Sequence, residues 1–121
     1  MSDLPLVSVE GLSRSYGERL ALDRVSFGVG EGELFALLGP NGGGKTTLFK
    51  VLSTLIPPSE GTFRVDGLSP SGSLRDVRRR LGVVFQAPSL DRKLTVLENL
   101  LVHGAVLGLG GSALRARAAA L

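Results

Sequence analysis

The stretch LFALLGPNGGGKTTLFKVL, residues 34–52, places four glycines and a lysine between two apolar segments. Glycine weakens regular secondary structure, so this cluster indicates either a flexible connection or a surface that another molecule approaches closely. The segment before it, 34–38, is a continuous apolar run, which is typical of a strand covered on both faces. After it, apolar residues at helical spacing predict a helix that ends before Pro57 and Pro58. These apolar residues are Leu48, Val51, Leu52 and Leu55.

The loop fits the pattern G-x-x-x-x-G-K-[ST], which runs from Gly39 through Gly44 to Lys45 and Thr46. Its backbone N–H groups, together with the unpaired N–H groups at the helix start, form a binding site for anions. We expect Lys45 to reach the terminal phosphates of a nucleotide and the Thr46 hydroxyl to ligate Mg²⁺. The alternative is a glycine-rich connection that matches the pattern by chance. The strand before it and the helix after it favour the phosphate-binding loop.

The composition is that of one small folded domain, with 121 residues of which 43% are hydrophobic. Cysteine is absent, which excludes disulfides and thiolate metal sites and suits the cytosol. No apolar run approaches the length that crosses a membrane. The first residues lack the basic start and apolar core of a signal peptide, so none is predicted.

The charge is weakly basic, at +3 from 14 basic and 11 acidic residues. The run Arg78-Arg79-Arg80 raises the hypothesis of nucleic-acid binding. Single-stranded nucleic acid is usually bound by basic residues interleaved with aromatic ones, and this chain has one tyrosine and five phenylalanines. We therefore interpret the arginines as a solvated helix face and expect no nucleic-acid partner.

Two kinds of strand are predicted. Apolar and polar residues alternate in 7–10, 24–29 and 62–66, which is typical of half-buried strands in an antiparallel sheet. A second nearly continuous apolar run at 81–85 joins 34–38 as a predicted parallel strand. The predicted fold class is therefore α/β: a P-loop core of a partial parallel sheet with helices, plus an N-terminal antiparallel β-subdomain, together an incomplete fold.

Three further helices are predicted after the phosphate loop. Residues 73–80, SLRDVRRR, form a short basic helix. Thr95 with Glu98 three residues later is a capping box, which opens an apolar helix to about Leu109. Ser112 is the predicted N-cap of the alanine-rich helix that follows it.

The segment GPNGGGKTT, 39–47, in this context resembles the ATP-binding subunits of ABC transporters. The resemblance extends to RSYGERLALDRVSFGVGEGE, 14–33, and to LGVVFQAPSLDRKLTVLENL, 81–100, so it covers nearly the whole chain. The last segment is most similar to subunits of the drug-export type. The resemblance implies a membrane-associated subunit on the inner face of the cell membrane, coupling ATP hydrolysis to transport. Its implied partners are a transmembrane permease subunit or domain and a second ATP-binding subunit.

The resemblance also implies roles for single residues, with ATP and Mg²⁺ as cofactors. Tyr16 matches the aromatic residue that stacks on adenine. Gln86 matches the Q-loop glutamine, which contacts Mg²⁺ and the attacking water, so Lys45 and Gln86 are the implied catalytic residues, and Thr46 and Gln86 the implied metal ligands. The implied nucleotide-binding residues are Tyr16, Gly39, Pro40, Asn41, Gly42, Gly43, Gly44, Lys45, Thr46 and Thr47.

Three features of the family have no counterpart in the sequence: an LSGGQ-like signature, a Walker B aspartate and a catalytic glutamate. We therefore expect residues 1–121 to be the N-terminal portion of one ATP-binding domain. Such a chain would bind nucleotide without efficient turnover, while the full-length subunit would be an ATPase. His103 lies inside an apolar segment and is interpreted as structural, not as the family's catalytic histidine.

Two other functions remain open at this point: a truncated, non-catalytic nucleotide-binding module, and a soluble ABC protein that takes no part in transport. Another P-loop protein, such as a GTPase or a small kinase, is disfavoured because the sequence contains neither an Asn-Lys-x-Asp motif nor an Asp-x-x-Gly motif. The transported substrate and the direction of transport are not encoded in these residues.

Overall fold

A computed structural model describes residues 4–87 and 89–121. The chain divides into two compact units, the first ending at Val83 and the second beginning at Val84. The elements of the first unit are β1 (Val7–Tyr16), β2 (Arg19–Val29), α1 (Lys45–Leu52), β3 (Glu60–Val65) and α2 (Leu74–Arg79). Those of the second unit are α3 (Val96–Val106) and α4 (Gly111–Ala119).

The first unit contains an antiparallel sheet with the strand order β2-β1-β3, which confirms the predicted β-subdomain. β1 and β2 form a hairpin in which Tyr16 pairs with Arg19, and Gly17 begins the two-residue turn at a φ of 58°. Both strands are longer than the alternation predicts, because register shifts after Val9, Leu12 and Arg14 interrupt the pairing of β1 with β2. The core lies between this sheet, α1 and α2. Its buried members are Val9, Leu12, Leu22, Leu48, Val51, Phe63, Val65 and Val77.

The two predicted parallel strands are absent from the described residues, so this part of the prediction is wrong. Neither 34–38 nor 81–85 pairs with another described segment. Leu34 and Leu38 are 97% and 93% exposed, and Val84 is 94% exposed. An apolar run indicates a preference for burial, but a strand also needs a neighbouring backbone to accept and donate its hydrogen bonds.

Helix α1 is shorter than the apolar spacing predicts. It ends at Leu52, so that Leu55 lies beyond the helix and is exposed. The chain leaves the helix through Thr54, whose φ of 61° is left-handed. The N–H groups of Thr54 and Leu55 donate to the carbonyls of Val51 and Lys50, each at 2.9 Å. These two hydrogen bonds form a Schellman motif. The motif ends the helix before the chain reaches Pro57 and Pro58.

Arg78 of α2 fixes this reversal. Its Nε donates to Thr54 Oγ1 at 2.8 Å, and its Nη2 donates to the Thr54 carbonyl at 3.2 Å. A cation at the C-terminal end of a helix also complements the negative end of the helix dipole. Arg78 therefore joins α2 to the end of α1.

The predicted basic helix α2 is confirmed, with Ser73 as its N-cap accepting from the Asp76 N–H. The arginines at its end have acidic neighbours in the chain: Arg79 lies 4.0 Å from Asp76, and Arg80 lies 3.1 Å from Asp66. All four of these charged side chains are about half exposed. Arg79 and Arg80 thus lie at the solvated side of the helix that the sequence predicts.

In the second unit, the predicted capping box of α3 is confirmed. The Glu98 N–H donates to Thr95 Oγ1 at 3.2 Å, and the Thr95 N–H and hydroxyl donate to Glu98 Oε2 at 2.7 and 2.8 Å. The helix ends at Val106, ahead of the predicted end near Leu109, because Gly108 takes a φ of 85°. Both ends of α3 are thus closed by local contacts.

The prediction that Ser112 caps α4 is wrong. The N-cap is Gly110, whose backbone is extended, and no side chain bonds to the first turn. Ser112 itself lies within the helix, and a residue with helical backbone angles does not cap its own first turn. α4 packs against α3, where Gly104 leaves room for Leu114.

Asn99 fixes the loop before α3 and is 6% exposed. Its side-chain oxygen accepts from the Asp91 N–H, and its Nδ2 donates to the carbonyls of Asp91, Leu94 and Thr95. His103 Nε2 lies 3.2 Å from the Ser89 carbonyl.

Across 4–87 and 89–121, the structure has no helix with the length and apolar character needed to cross a membrane.

Candidate functional site

The phosphate loop is shaped by glycines in the left-handed region. Gly42 and Gly44 have φ angles of 83° and 86°, and the Gly43 N–H donates to the Pro40 carbonyl at 3.1 Å to close a turn. Gly44 also lies against β2, where a Cβ would overlap the carbonyl of Ala21. Both its backbone angle and this close approach require a glycine at position 44.

Helix α1 begins directly after this glycine, and its N-terminus is left open. Gly44 offers no side chain to cap it, and the first turn contains no acidic residue. The first backbone bond of the helix runs from the Leu48 N–H to the Gly44 carbonyl at 2.8 Å. The N–H groups of Lys45, Thr46 and Thr47 therefore have no acceptor within the helix and are available to an anion.

The Lys45 side chain extends back along the loop. Its Nζ donates to the carbonyls of Gly39 and Pro40 at 2.5 and 2.6 Å. The ammonium is thereby held beside the glycine turn. Lys45 adds a full positive charge to the partial charge of the helix N-terminus.

A cavity of about 390 Å³ opens above the loop. Both of its charged residues, Arg19 and Lys45, are basic, so its electrostatics favour an anion. Tyr16 contributes to its wall although it lies far from the loop in sequence, because the contact of Gly44 with Ala21 brings the hairpin end to the loop. The lining residues are Tyr16, Arg19, Ala21, Asn41, Gly42, Gly44, Lys45, Thr46 and Thr47.

Seven of the predicted nucleotide-binding residues line this cavity, and three do not. Gly39, Pro40 and Gly43 are absent from the wall, but they make the contacts that shape the loop and hold Lys45. Arg19 and Ala21 are lining residues that the sequence reasoning missed. A hairpin turn at Gly17 and Glu18 would have predicted the position of Arg19, because a two-residue turn places Arg19 directly opposite Tyr16.

Tyr16 is 44% exposed, with its ring partly covered by an arginine of the same strand. The guanidinium carbon of Arg14 lies 5.1 Å from the ring centroid. This distance is within the range of a cation–π contact. Tyr16 therefore lines the cavity and also contacts the guanidinium of Arg14.

The donor set suits Mg²⁺ bound together with a phosphate. Thr46 offers an exposed hydroxyl in the first turn of α1, and oxygen is the ligand that Mg²⁺ prefers. No cluster of three or more His, Cys, Asp or Glu side chains that could hold a metal occurs in 4–87 or 89–121. Mg²⁺ commonly uses one or two protein ligands and completes its shell with water and substrate phosphates, which fits a single hydroxyl.

Gln86 lies in the second unit, in an exposed bend. The contacts with the metal ion and the attacking water that are expected of Gln86 stay a prediction.

Known proteins resemble the chain along most of its length. The family model described as "ABC transporter" matches residues 22–121. The Nod factor export ATP-binding protein I of Ralstonia nicotianae is 43% identical over 113 residues, which is 93% of this chain and 35% of that protein. The daunorubicin resistance ATP-binding protein DrrA2 of Streptomyces coeruleorubidus is 43% identical over 115 residues, 95% of this chain and 36% of that protein. The chain thus spans about a third of the length of these relatives.

Solved structures confirm the fold of an ATP-binding cassette, of which this chain covers a part. An ATP-binding subunit of an ABC transporter superposes with a TM-score of 0.79 at 32% identity, over 88% of this chain and 45% of that one. The ATP-binding cassette MJ0796, in a dimeric post-hydrolysis state bound to ADP and Pi, gives a TM-score of 0.77 at 30% identity. That match covers 94% of this chain and 54% of the cassette.

Proposed function

The chain belongs to the ABC transporter family, and we propose that its cavity binds ATP with Mg²⁺ as part of an ATP-binding subunit. One observation carries the proposal: Tyr16, the uncapped start of α1 and the ammonium of Lys45 meet in a single cavity. An aromatic face, an anion site and a cation are what an adenine nucleotide requires.

The phosphates would lie on the loop, where the N–H groups of Lys45, Thr46 and Thr47 have no helical acceptor. Lys45 would leave the carbonyls of Gly39 and Pro40, or share its hydrogens with them, to pair with the terminal phosphate oxygens. The adenine would then stack on the ring of Tyr16 at the other side of the cavity. Gly39 to Thr47 together with Tyr16 are thus the proposed nucleotide-binding residues.

Thr46 is the proposed Mg²⁺ ligand in the first unit, and Gln86 is proposed as a second ligand that also orients the attacking water. Bound Mg²⁺ would neutralise charge on the phosphate oxygens during transfer. Lys45 would add a fixed positive charge at the same place, which is why we assign it a catalytic role.

We propose that the whole subunit couples ATP binding and hydrolysis to transport through a transmembrane permease partner. It would work as a dimer of ATP-binding subunits on the inner face of the cell membrane. Two findings support this: relatives are named as export and drug-resistance ATP-binding proteins, and the related MJ0796 cassette was solved as a dimer.

We propose in addition that the 121-residue chain alone binds nucleotide with little turnover. None of the cavity-lining residues in the described part of the chain is acidic. The loop would stabilise transferred charge, but no carboxylate there would orient the water.

Nucleotide titration tests the binding proposal. Tyr16 is the only tyrosine of the sequence, which has no tryptophan, so intrinsic tyrosine fluorescence reports on the site itself. We expect Mg-ATP to change this emission in a saturable way. We expect Lys45→Ala to weaken binding roughly 10- to 150-fold, because a charge-assisted contact is worth about 1.5–3 kcal/mol. An unchanged affinity in this variant would contradict the assignment of Lys45.

Phosphate release from Mg-ATP tests the proposal on turnover, with Lys45→Ala as the matched control. We expect both proteins to stay at background. Release above background that Lys45→Ala abolishes would show instead that the chain is a competent ATPase.

A further inference from the structure

We propose that Arg14 is a positioning residue for the base: it holds the ring of Tyr16 so that the ring's other face receives the adenine. This inference rests on the proposed ATP-binding function. It concerns a residue outside the phosphate loop and outside the cavity wall.

The first observation is the contact itself. Arg14 and Tyr16 are two residues apart on β1. The guanidinium carbon lies 5.1 Å from the ring centroid, inside the limit of about 6 Å for a cation–π contact.

The second observation is that Arg14 is fixed from the other side. Its Nη1 donates to the Pro57 carbonyl at 2.8 Å. The backbone on either side of Arg14 is joined to the same segment: the Ser59 N–H donates to the Ser13 carbonyl at 2.8 Å, and the Ser15 N–H donates to Ser59 Oγ at 3.1 Å. Arg14 therefore has a fixed position, whereas Tyr16 lies at the strand end beside a turn.

The third observation is an unpaired donor. The Nε of Arg14 is buried and has no hydrogen-bond partner in the described part of the chain. A buried donor without an acceptor is unfavourable, so hydrogen bonding alone does not account for this side-chain conformation. The ring contact and the Pro57 bond are the interactions that offset it.

The fourth observation concerns the two faces of the ring. Tyr16 lines the cavity, but Arg14 does not, so we place the guanidinium on the face that is turned away from the cavity. A ring that is already held loses less freedom when a base stacks on it. Immobilising one side chain changes affinity by roughly 2- to 10-fold, and this is the effect we expect of Arg14.

The experiment compares two ligands, Mg-ATP and Mg-tripolyphosphate, by calorimetric titration of the 121-residue chain. Tripolyphosphate occupies the loop without a base. In Arg14→Met we expect the Kd for ATP to rise roughly 2- to 10-fold and the Kd for tripolyphosphate to stay unchanged. Arg14→Lys keeps a cation near the ring and should restore most of the ATP affinity.

A second variant removes the charge but keeps a polar side chain. Arg14→Gln is uncharged and shorter than arginine, and it also serves if Arg14→Met does not fold. We expect it to behave like Arg14→Met. Because Tyr16 is the only tyrosine, fluorescence anisotropy of the ligand-free protein reports the ring's own motion, and it should fall in Arg14→Gln and not in Arg14→Lys.

The outcomes are distinguishable. If Arg14→Gln weakens both ligands equally, or weakens neither, the inference is overturned while the proposed function stands. If the unaltered chain binds neither ligand, the proposed function fails and the inference fails with it. Selective loss of ATP affinity together with lower anisotropy supports it.

Discussion

Two helices of this chain begin in opposite ways. At the start of α3, Thr95 and Glu98 exchange hydrogen bonds and close the first turn with the protein's own side chains. At the start of α1, Gly44 supplies no side chain, and no acidic residue lies in the first turn. Both starts present the same kind of unpaired backbone N–H group.

The difference shows what an open helix start costs and what it permits. A capping residue stabilises a helix by about 1 kcal/mol, and α1 lacks this contribution at its N-terminus. In exchange its N–H groups remain free for a ligand with negative charge. α3 has its acceptors built in and offers no such site.

The largest expected effect comes from adding one methyl group to the open start. Gly44→Ala places a Cβ at a φ of 86° and against the Ala21 carbonyl, so strain and overlap add. We expect the free energy of unfolding to fall by roughly 2–6 kcal/mol, measured by urea denaturation without nucleotide.

Gly42→Ala is the matched control for this change. Gly42 has nearly the same φ, 83°, but a Cβ there meets no atom within 4 Å. Its loss should be limited to backbone strain, roughly 1–3 kcal/mol. Equal losses in the two variants would show that the approach of Gly44 to β2 contributes nothing.

The next effect concerns the aromatic residue beside the open start. If adenine stacks on Tyr16, Tyr16→Ala should weaken ATP binding by roughly 1–3 kcal/mol, measured by calorimetry. Tyr16→Phe keeps the aromatic face and should bind nearly as the unaltered chain does. A phenylalanine variant as damaged as the alanine variant would assign the role to the hydroxyl.

A smaller effect tests the closed start. Thr95→Ala removes the side-chain acceptor of the capping box and should lower the stability of α3 by about 1 kcal/mol. Hydrogen exchange of the amides in the first turn of α3 measures this. Thr95→Ser keeps the hydroxyl, and faster exchange in that variant too would speak against the cap as the cause.

The smallest effect is the pH dependence of the closed start. The Thr95 backbone N–H, and then its hydroxyl, donate to the Glu98 carboxylate and hold its pKa below the ordinary value of 4.5. Because the pKa of Glu98 is lower in the folded state than in the unfolded state, its carboxylate stabilises the fold at any pH above the unfolded-state pKa. This stabilisation is lost as the pH falls through the folded-state pKa.

We therefore expect the circular-dichroism signal of the helices to weaken on acidification below about pH 4.5. Glu98→Gln can still accept the same hydrogen bonds but does not titrate, so it should lose less signal over the same range. Identical acid curves for the two proteins would show that Glu98 does not contribute.

Local sequence patterns predicted the capped start of α3 and the uncapped start of α1 equally well. The capping box needs only Thr95 and Glu98 at their spacing, and the phosphate loop needs only its glycines and Lys45 before a helix. Tyr16 was different, because nothing around it in the sequence marks a ligand site, and only the family resemblance indicated it. The structure places it at the same cavity as the loop.

Features that depend on distant partners were not predictable. Arg19 and Ala21 reach the cavity through the contact of β2 with Gly44, which no local pattern encodes. The apolar run 34–38 was predicted as a strand from its composition, but pairing requires a second backbone. The N-cap of α4 is a local feature, and it was misplaced because Gly110 takes the role by backbone conformation without a side-chain hydrogen bond.

Thr54 makes the end of α1 a position with conflicting demands on the amino acid. A β-branched residue in a left-handed conformation costs roughly 1–2 kcal/mol, which glycine would avoid. Glycine, however, would leave the Nε of Arg78 without the hydroxyl that accepts from it. Asparagine tolerates the backbone angle and carries an oxygen, so it is the substitution that evolution or a designer would try first at this site. Tolerance at position 54 would then follow the residue at position 78, and the two should vary as a pair.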